Sequence, residues 1–368
     1  MVGDMQRYSP LLDMEPLQHL NPARFETPAL LKKLNAASRQ LAELKGISST
    51  IPNQAILINT LSIQEAKDSS EIENIVTTHD EVFQDDLSPL SSLSPAAKEV
   101  LRYREALWIG YRKVRQSELL TNNIIQQIRA SLEQSNAGFR KVPGTTLKND
   151  HGDIIYTPPQ DQREIDSLMA DLEKFINSPE LSALDPLIKI ALIHHRFESI
   201  HPFYDGNGRT GRLINVLYLV KEKLLDIPVL YLSRHILATK TDYYRLLEAV
   251  RNDDAWEEWV AYILTAIEHT ATQAIQSITQ IKAAFQDYKH RIRNEHKFYS
   301  QDLINNLFTH PYTKIEFLQN DLKVSRVTAT RYLDELCASG FLIKEKISRT
   351  NYYINPTLTA ILTGKPLP

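Results

Sequence analysis

Cysteine is almost absent from this chain of 368 residues: Cys337 stands alone, which excludes an intrachain disulfide and any paired-cysteine metal or redox site. A reducing compartment is therefore expected. No run of about 18 apolar residues occurs. The N-terminus, MVGDMQRYSPLLDMEPL, has an acid at Asp4 and no basic segment leading into an apolar one. The expectation is a cytoplasmic protein with no membrane partner. Internal repeats and low-complexity tracts are lacking too. With 42% hydrophobic and 24% charged residues, the composition is that of an ordinary folded protein of two or three domains, neither disordered nor fibrous.

The net charge of −3 hides an asymmetry. From Lys289 to the end there are 12 Lys and Arg against 7 Asp and Glu, whereas the preceding part has 30 against 38. The tail is locally basic, a mild polyanion signal that a solvated basic face also explains.

Apolar residues recur at spacings of three and four almost throughout, so the chain reads as mainly α. Leu168, Leu172, Phe175 and Ile176 form one such stripe. Asp185 followed by Pro186 starts a helix that LIKIALIHHRFESI carries into His201. A second helix opens within GNGRTGRLINVLYLVKEKLL and ends before Pro228. The two flank HPFYDGNGR. Upstream, β-branched residues on either side of NDHGD predict a β-hairpin at residues 141 to 157. A long helix from Trp256 to about His296 leads into the tail. There, helical segments at Gln301–Phe308, Thr313–Gln319 and Arg326–Ser339 precede two strand-like runs in FLIKEKISRTNYYI. Three helices and a two-stranded wing predict a winged helix-turn-helix.

Gly206, Gly208 and Gly211 match G-x-G-x-x-G, yet a helix rather than a strand leads in, so the dinucleotide fingerprint fails on context. A Walker A loop fails as well, because Arg212 and Leu213 stand where Lys and Ser or Thr are required. What remains is a tight turn opening a helix. Its backbone N–H groups and dipole make an anion nest, and Arg209 and Arg212, three apart, share a face beside it. A polyphosphate suits that nest. Asp205 would face the phosphates across a hard cation such as Mg²⁺, and His201 at the other lip suits proton abstraction from a hydroxyl.

HPFYDGNGRTGR, residues 201 to 212, resembles the Fic motif HxFx(D/E)GNGRxxR with every defined position present, and the resemblance spans about residues 100 to 270. Fic proteins mostly transfer AMP from ATP to a hydroxyl side chain of a target protein. The resemblance implies that His201 is the base, Phe203 a core anchor and Asp205 the Mg²⁺ ligand. Gly206, Asn207 and Gly208 would form the anion hole, and Arg209 and Arg212 would hold the β- and γ-phosphates. Thr210 and Gly211 complete the ATP-binding stretch. The hairpin would be a flap that registers the target segment by strand addition, with Ile154, Ile155 and Tyr156 over the site. TDYYRLLEAV resembles the stretch lining the adenine pocket, suggesting Tyr243.

SSEIEN resembles the family's inhibitory motif (S/T)xxxE(G/N), with Ser69, Glu73 and Asn74 at the defined positions. The implied role of Glu73 is an ion pair with Arg212 that withdraws the arginine from the γ-phosphate. Ser70 and Glu73 also fit a capping box, a local helix-start device. Such a glutamate could instead orient a water for AMP removal. In the tail, Arg326, Thr330 and Arg331 are expected to face outward to DNA, with Val327, Leu333, Leu336 and Cys337 inward and Lys344, Lys346 and Arg349 on the wing. A protein-docking module is the other reading of this domain.

The expected architecture is a mainly α protein with a Fic-type helical core and β-hairpin flap, plus a C-terminal winged helix-turn-helix. Residues 1–98 would form an N-terminal helical region with the inhibitory motif, 99–290 the catalytic core and 291–368 the winged helix. The expected function is autoinhibited protein AMP transfer with ATP and Mg²⁺, onto Tyr, Ser or Thr of a target and onto the protein itself. The alternatives are a nucleotide-sensing DNA-binding regulator and a de-AMPylating enzyme on the same site. A homodimer is an admissible partner state.

Overall fold

The computed structural model describes residues 14–85, 94–148, 151–347 and 350–367. Residues 149–150 of the expected hairpin and Arg349 of the expected wing lie outside the described residues.

Helices open where the sequence supplies caps. The Thr27 hydroxyl accepts from Leu30 N–H ahead of α1 (Pro28–Ser48), and Asn53 does the same for α2 (Gln54–Ile72) through Ala55 N–H. A short α3 (His79–Asp85) is followed by α4 (Pro95–Ser117), capped by Ser94, and α5 (Asn122–Glu133), capped by Thr121. The hairpin pairs β1 (Leu147–Lys148) with β2 (Ile154–Tyr156), antiparallel and with a register shift. Next come α6 (Gln162–Asn177) and α7 (Pro186–Ile200), whose cap is Asp185 Oδ1 on Leu187 N–H with Pro186 at the first position. Then follow α8 (Asn207–Lys221), α9 (Ser233–Ala238), α10 (Lys240–Asp253) and the 40-residue α11 (Trp256–Glu295).

The core is centred on α7. Every residue from Leu187 to Ile200 is buried, polar ones included, and α8 is buried nearly as completely. A helix buried on all sides needs neighbours all round. Here α8, α6, α11 and α1 supply them, while α4 and α5 cover α8 and α2 packs on α4 and α9.

The C-terminal part is the expected winged helix, with two additions. It comprises α12 (Gln301–Thr309), β3 (Tyr312–Thr313), α13 (Ile315–Leu322), α14 (Arg326–Ala338), β4 (Ile343–Ile347), β5 (Thr350–Ile354) and α15 (Pro356–Thr363). The wing is three-stranded in the order β3-β5-β4, because Tyr312 and Thr313 pair with Ile354 and Tyr353. The unforeseen α15 returns to α2, where the Gln64 amide donates to Leu362 O. The boundary at 290/291 falls inside α11, whose last turns are part of the winged helix: Phe285 and Tyr288 pack on Phe308, and Tyr288 Oη donates to Phe341 O at 3.0 Å. The inward placement of Val327 is corrected. It is 80% exposed, because the buried stripe of α14 runs through Ala329, Leu333 and Leu336 and Val327 falls off it.

Candidate active site

The site is the turn between α7 and α8. His201 ends α7 in the left-handed conformation (φ 48°), and Gly206 opens α8 with φ 77°, so the chain reverses within six residues. Two anchors hold the turn. Phe203 is fully buried, packed on Phe139 and Phe197 with the Arg129 guanidinium 5.4 Å from its ring centre. The Asn207 side chain clips the loop by accepting from Phe203 N–H at 2.9 Å and donating to Phe203 O at 2.8 Å. Arg129 adds a third tie, from Nε to Asp205 O at 3.3 Å.

No side chain caps the N-terminus of α8. The N–H groups of Asn207, Gly208 and Arg209 start the helix and lack intrahelical acceptors. This is an open anion nest. Gly208 lets a carboxylate approach closely, since a Cβ there would overlap Glu73 Oε1. Thr210 is buried, its N–H already bonded to Gly206 O, and Gly211 lies against Glu198 and Phe197 of α7. Both serve packing of α8 rather than an open surface.

The two arginines lead different lives. Arg212 is buried; its Nε donates to Ser69 Oγ at 2.8 Å, and its Nη2 donates to Ser69 O and Glu73 Oε1, each at 2.9 Å. Burial opposes the charge on Glu73, but Arg212 prevails and holds that carboxyl below its usual range. Arg209 is buried between Glu99 and Glu133, the latter at 2.9 Å, and lies 3.9 Å from Asp205. Glu73 caps α2, and Asn74 follows it in the left-handed conformation (φ 63°). The SSEIEN segment therefore ends a helix, which removes the capping-box reading of Ser70 and Glu73.

Burial pushes the His201 imidazole down to about 4, with Arg140 and Arg251 adding to the effect. The ring is neutral at pH 7. Asp205 sits at the outer lip with its side chain 77% exposed, one oxygen taking Gly206 N–H at 2.7 Å. Among the described residues no three His, Cys, Asp or Glu side chains converge as a metal cage. An exposed carboxylate oxygen beside an anion nest still fits Mg²⁺, which commonly takes one or two carboxylates and completes its shell with phosphates and water.

The flap lies over α7. Ile154 and Ile155 are exposed, whereas Tyr156 anchors the hairpin: its hydroxyl donates to Ser199 O at 2.9 Å and Arg251 stacks 3.9 Å from its ring centre. Tyr243 is 2% exposed, its hydroxyl 2.9 Å from His194 Nε2 inside an aromatic cluster with Trp259. It backs the site rather than lining an open pocket; the exposed ring of α10 is Tyr244.

Several neighbours escape sequence reasoning. Arg140 is fully buried, its Nε donating to His201 O at 2.8 Å and its Nη2 to Ile200 O and Pro159 O. Glu198 lies three residues before His201 on α7, and burial pushes it up to about 7 against the pull of Arg212. Glu99 and Glu133 hold Arg209. Only Glu198 had a usable signal, its spacing from His201.

Three family models match the chain: "Fic/DOC family N-terminal" over residues 31–112, "Fic/DOC family" over 118–219, and "Protein adenylyltransferase SoFic-like, C-terminal domain" over 285–358. The chain belongs to the Fic/DOC family. It is 30% identical over 155 residues to a protein adenylyltransferase Fic of Drosophila erecta, covering 40% of this chain and 30% of that one. It is also 30% identical over 99 residues to the protein adenylyltransferase fic-1 of Caenorhabditis briggsae, covering 27% of this chain and 18% of that one. The chain thus spans less than a third of the length of these relatives. A Fic family protein from Desulfovibrio desulfuricans shares the fold with a TM-score of 0.57 at 20% identity, over 89% of this chain and 96% of that one. Fic-1 from C. elegans does so at 0.53 and 18%, over 70% and 76%.

Proposed function

We propose that the protein transfers AMP from ATP to a hydroxyl side chain of a protein target and that Glu73 restrains it. The observation that carries this reading is the grip of Ser69 and Glu73 on Arg212 at the open N-terminus of α8. A triphosphate seated on that terminus needs the same guanidinium.

The roles follow from position. Asn207, Gly208 and Arg209 N–H groups would receive phosphate oxygens, with Arg209 and a released Arg212 neutralising the outgoing charge. His201 accepts the proton of the target hydroxyl as its oxygen bonds to the α-phosphorus; the bond to the β-phosphate oxygen breaks and pyrophosphate leaves. A neutral imidazole is already in the accepting form, and the approach of phosphate charge raises its basicity. Mg²⁺ held by Asp205 would supply charge neutralisation at the phosphates. The exposed edge of β2 at Ile154 and Ile155 would seat the target as an added strand.

The cations of α14 and the wing mostly have acids beside them: Arg326 with Glu316, Arg331 with Glu335 and Lys344 with Asp334. That pairing weakens a phosphate-binding face and supports protein docking for the winged helix.

The test supplies ATP labelled at the α- or the γ-phosphate to wild-type, Glu73→Gly and His201→Ala proteins. AMP transfer predicts α-label on protein, more with Glu73→Gly and none with His201→Ala. Incorporation of γ-label would replace this reading with phosphate transfer.

A further inference from the structure

Eight residues before Glu73 on α2, a carboxylate is buried deep in the protein. Glu65 is 3% exposed, and three donors from two other helices converge on it. Tyr103 Oη of α4 donates to Oε1 at 2.8 Å, the Ser233 hydroxyl of α9 to the same oxygen at 2.5 Å, and Ser233 N–H to Oε2 at 3.3 Å. Tyr103 and Ser233 are themselves fully buried. The reaction chemistry uses none of these groups.

An acid in this position is costly to bury, and apolar side chains of similar volume would serve stability better. Burial accordingly raises the Glu65 carboxyl to about 7, the Ser233 and Tyr103 bonds and nearby Arg212 drawing it back and Asp68 adding to the rise. What the carboxylate supplies is direction. Away from this cluster α2 packs largely through apolar residues such as Leu57, Leu61 and Ala66, with Gln64 on Leu362 O and Arg234 Nε on Asp68 at 3.4 Å as further polar ties, and apolar contact has no preferred angle. Hydrogen bonds do. Three donors fixed on α4 and α9 admit one axial position and one rotation of α2. A slip of one residue moves a helix by about 1.5 Å and turns it by roughly 100°.

Glu65, Ser69 and Glu73 are spaced by four, so they lie along one stripe of α2. The lower end of that stripe is tied to α4 and α9, and the upper end grips Arg212 of α8. We infer that Glu65 is a positioning residue that sets the register of the inhibitory helix, so that Ser69 and Glu73 reach Arg212. This inference rests on the restraint proposed above for Glu73.

The test uses the full chain and two readouts. Amide hydrogen exchange over residues 66–75 reports the hold on the end of α2 without any turnover. Transfer of α-label to the protein itself reports restraint. Glu65→Ala removes all three bonds; Ser233→Ala removes only the hydroxyl bond to Oε1 with little change in volume and serves if the first variant does not fold. Expected are faster exchange over 66–75, unchanged exchange over 186–200, and more label, about tenfold for Glu65→Ala from the loss of hydrogen bonding at one end of the stripe. The gain must vanish in the Glu73→Gly background, where no restraint is left to release. A fold defect would instead lower labelling in both backgrounds.

Unchanged exchange over 66–75 in both variants overturns the inference. So does a gain in label that persists in the Glu73→Gly background, because it would not act through Glu73. If Glu73→Gly alone labels no better than wild type, the restraint reading falls, and the exchange data still decide whether Glu65 sets the register.

Discussion

Arg212 Nη2 lies 2.9 Å from Glu73 Oε1, and the same nitrogen donates to Ser69 O, so one guanidinium closes α2 onto the start of α8. An arginine fork does this and a lysine ammonium does not, because the two nitrogens address Ser69 Oγ and the carboxylate together. Arg212→Lys should therefore make stability insensitive to Glu73→Gly. A double-mutant cycle by urea unfolding should give a coupling of about 1 kcal/mol, at the lower end for contacting residues because the Glu73 side chain is 35% exposed.

The two glycines at the head of α8 should respond differently to alanine. Gly206→Ala forces an L side chain into φ 77° and into Glu133, which holds Arg209. It should cost about 1–2 kcal/mol in chemical denaturation. At Gly208 the backbone is helical, and the new methyl meets the far ends of two side chains, the Glu73 carboxylate and Arg212 Nη1. Stability should stay within about 1 kcal/mol of wild type, while the Glu73 carboxylate is pushed from Arg212.

His201 should titrate near 4 in the nucleotide-free protein, followed through its ring proton resonances, rather than near the ordinary histidine value. Glu73 raises that value, so Glu73→Gly should move the midpoint lower still. The sign for stability follows. The unfolded chain takes up the proton first as pH falls from about 6.5, so the His201 contribution declines through that window down to about 4. A midpoint near 6.5 would contradict a base held neutral by its partly buried setting.

Arg140 supplies donors to three backbone carbonyls around His201. Arg140→Met keeps much of the volume and leaves those acceptors unpaired in the interior. A loss of about 2–4 kcal/mol in unfolding free energy is expected. Transfer of α-label in the Glu73→Gly background should fall with it.

Legibility differed from place to place for physical reasons. The turn from His201 to Arg212 is local: an Asp-Pro start, a helix running to His201 and a glycine that accepts positive φ are all written within 28 residues. The hairpin and the three tail helices were readable for the same reason. Val327 departs from the inward face expected of it because α14 is short, and the inward stripe depends on which of its faces β4 and α13 cover. Tyr243 and Tyr244 are adjacent aromatics of one helix, and only packing against Trp259 and His194 decides which is enclosed.

SSEIEN shows the division most clearly. The order of residues already dictated that a serine and a glutamate four apart would share a helix face, and that HPFYDGNGRTGR would build an anion nest. Neither string contains the other's coordinates. That Ser69 and Glu73 close on Arg212, that Arg140 underpins His201 and that Glu65 meets Tyr103 and Ser233 are contacts between residues 38 to 168 positions apart. Periodicity and capping act over a turn or two of chain; contacts at that separation exist only once burial of α7 and α8 has drawn the surrounding helices together.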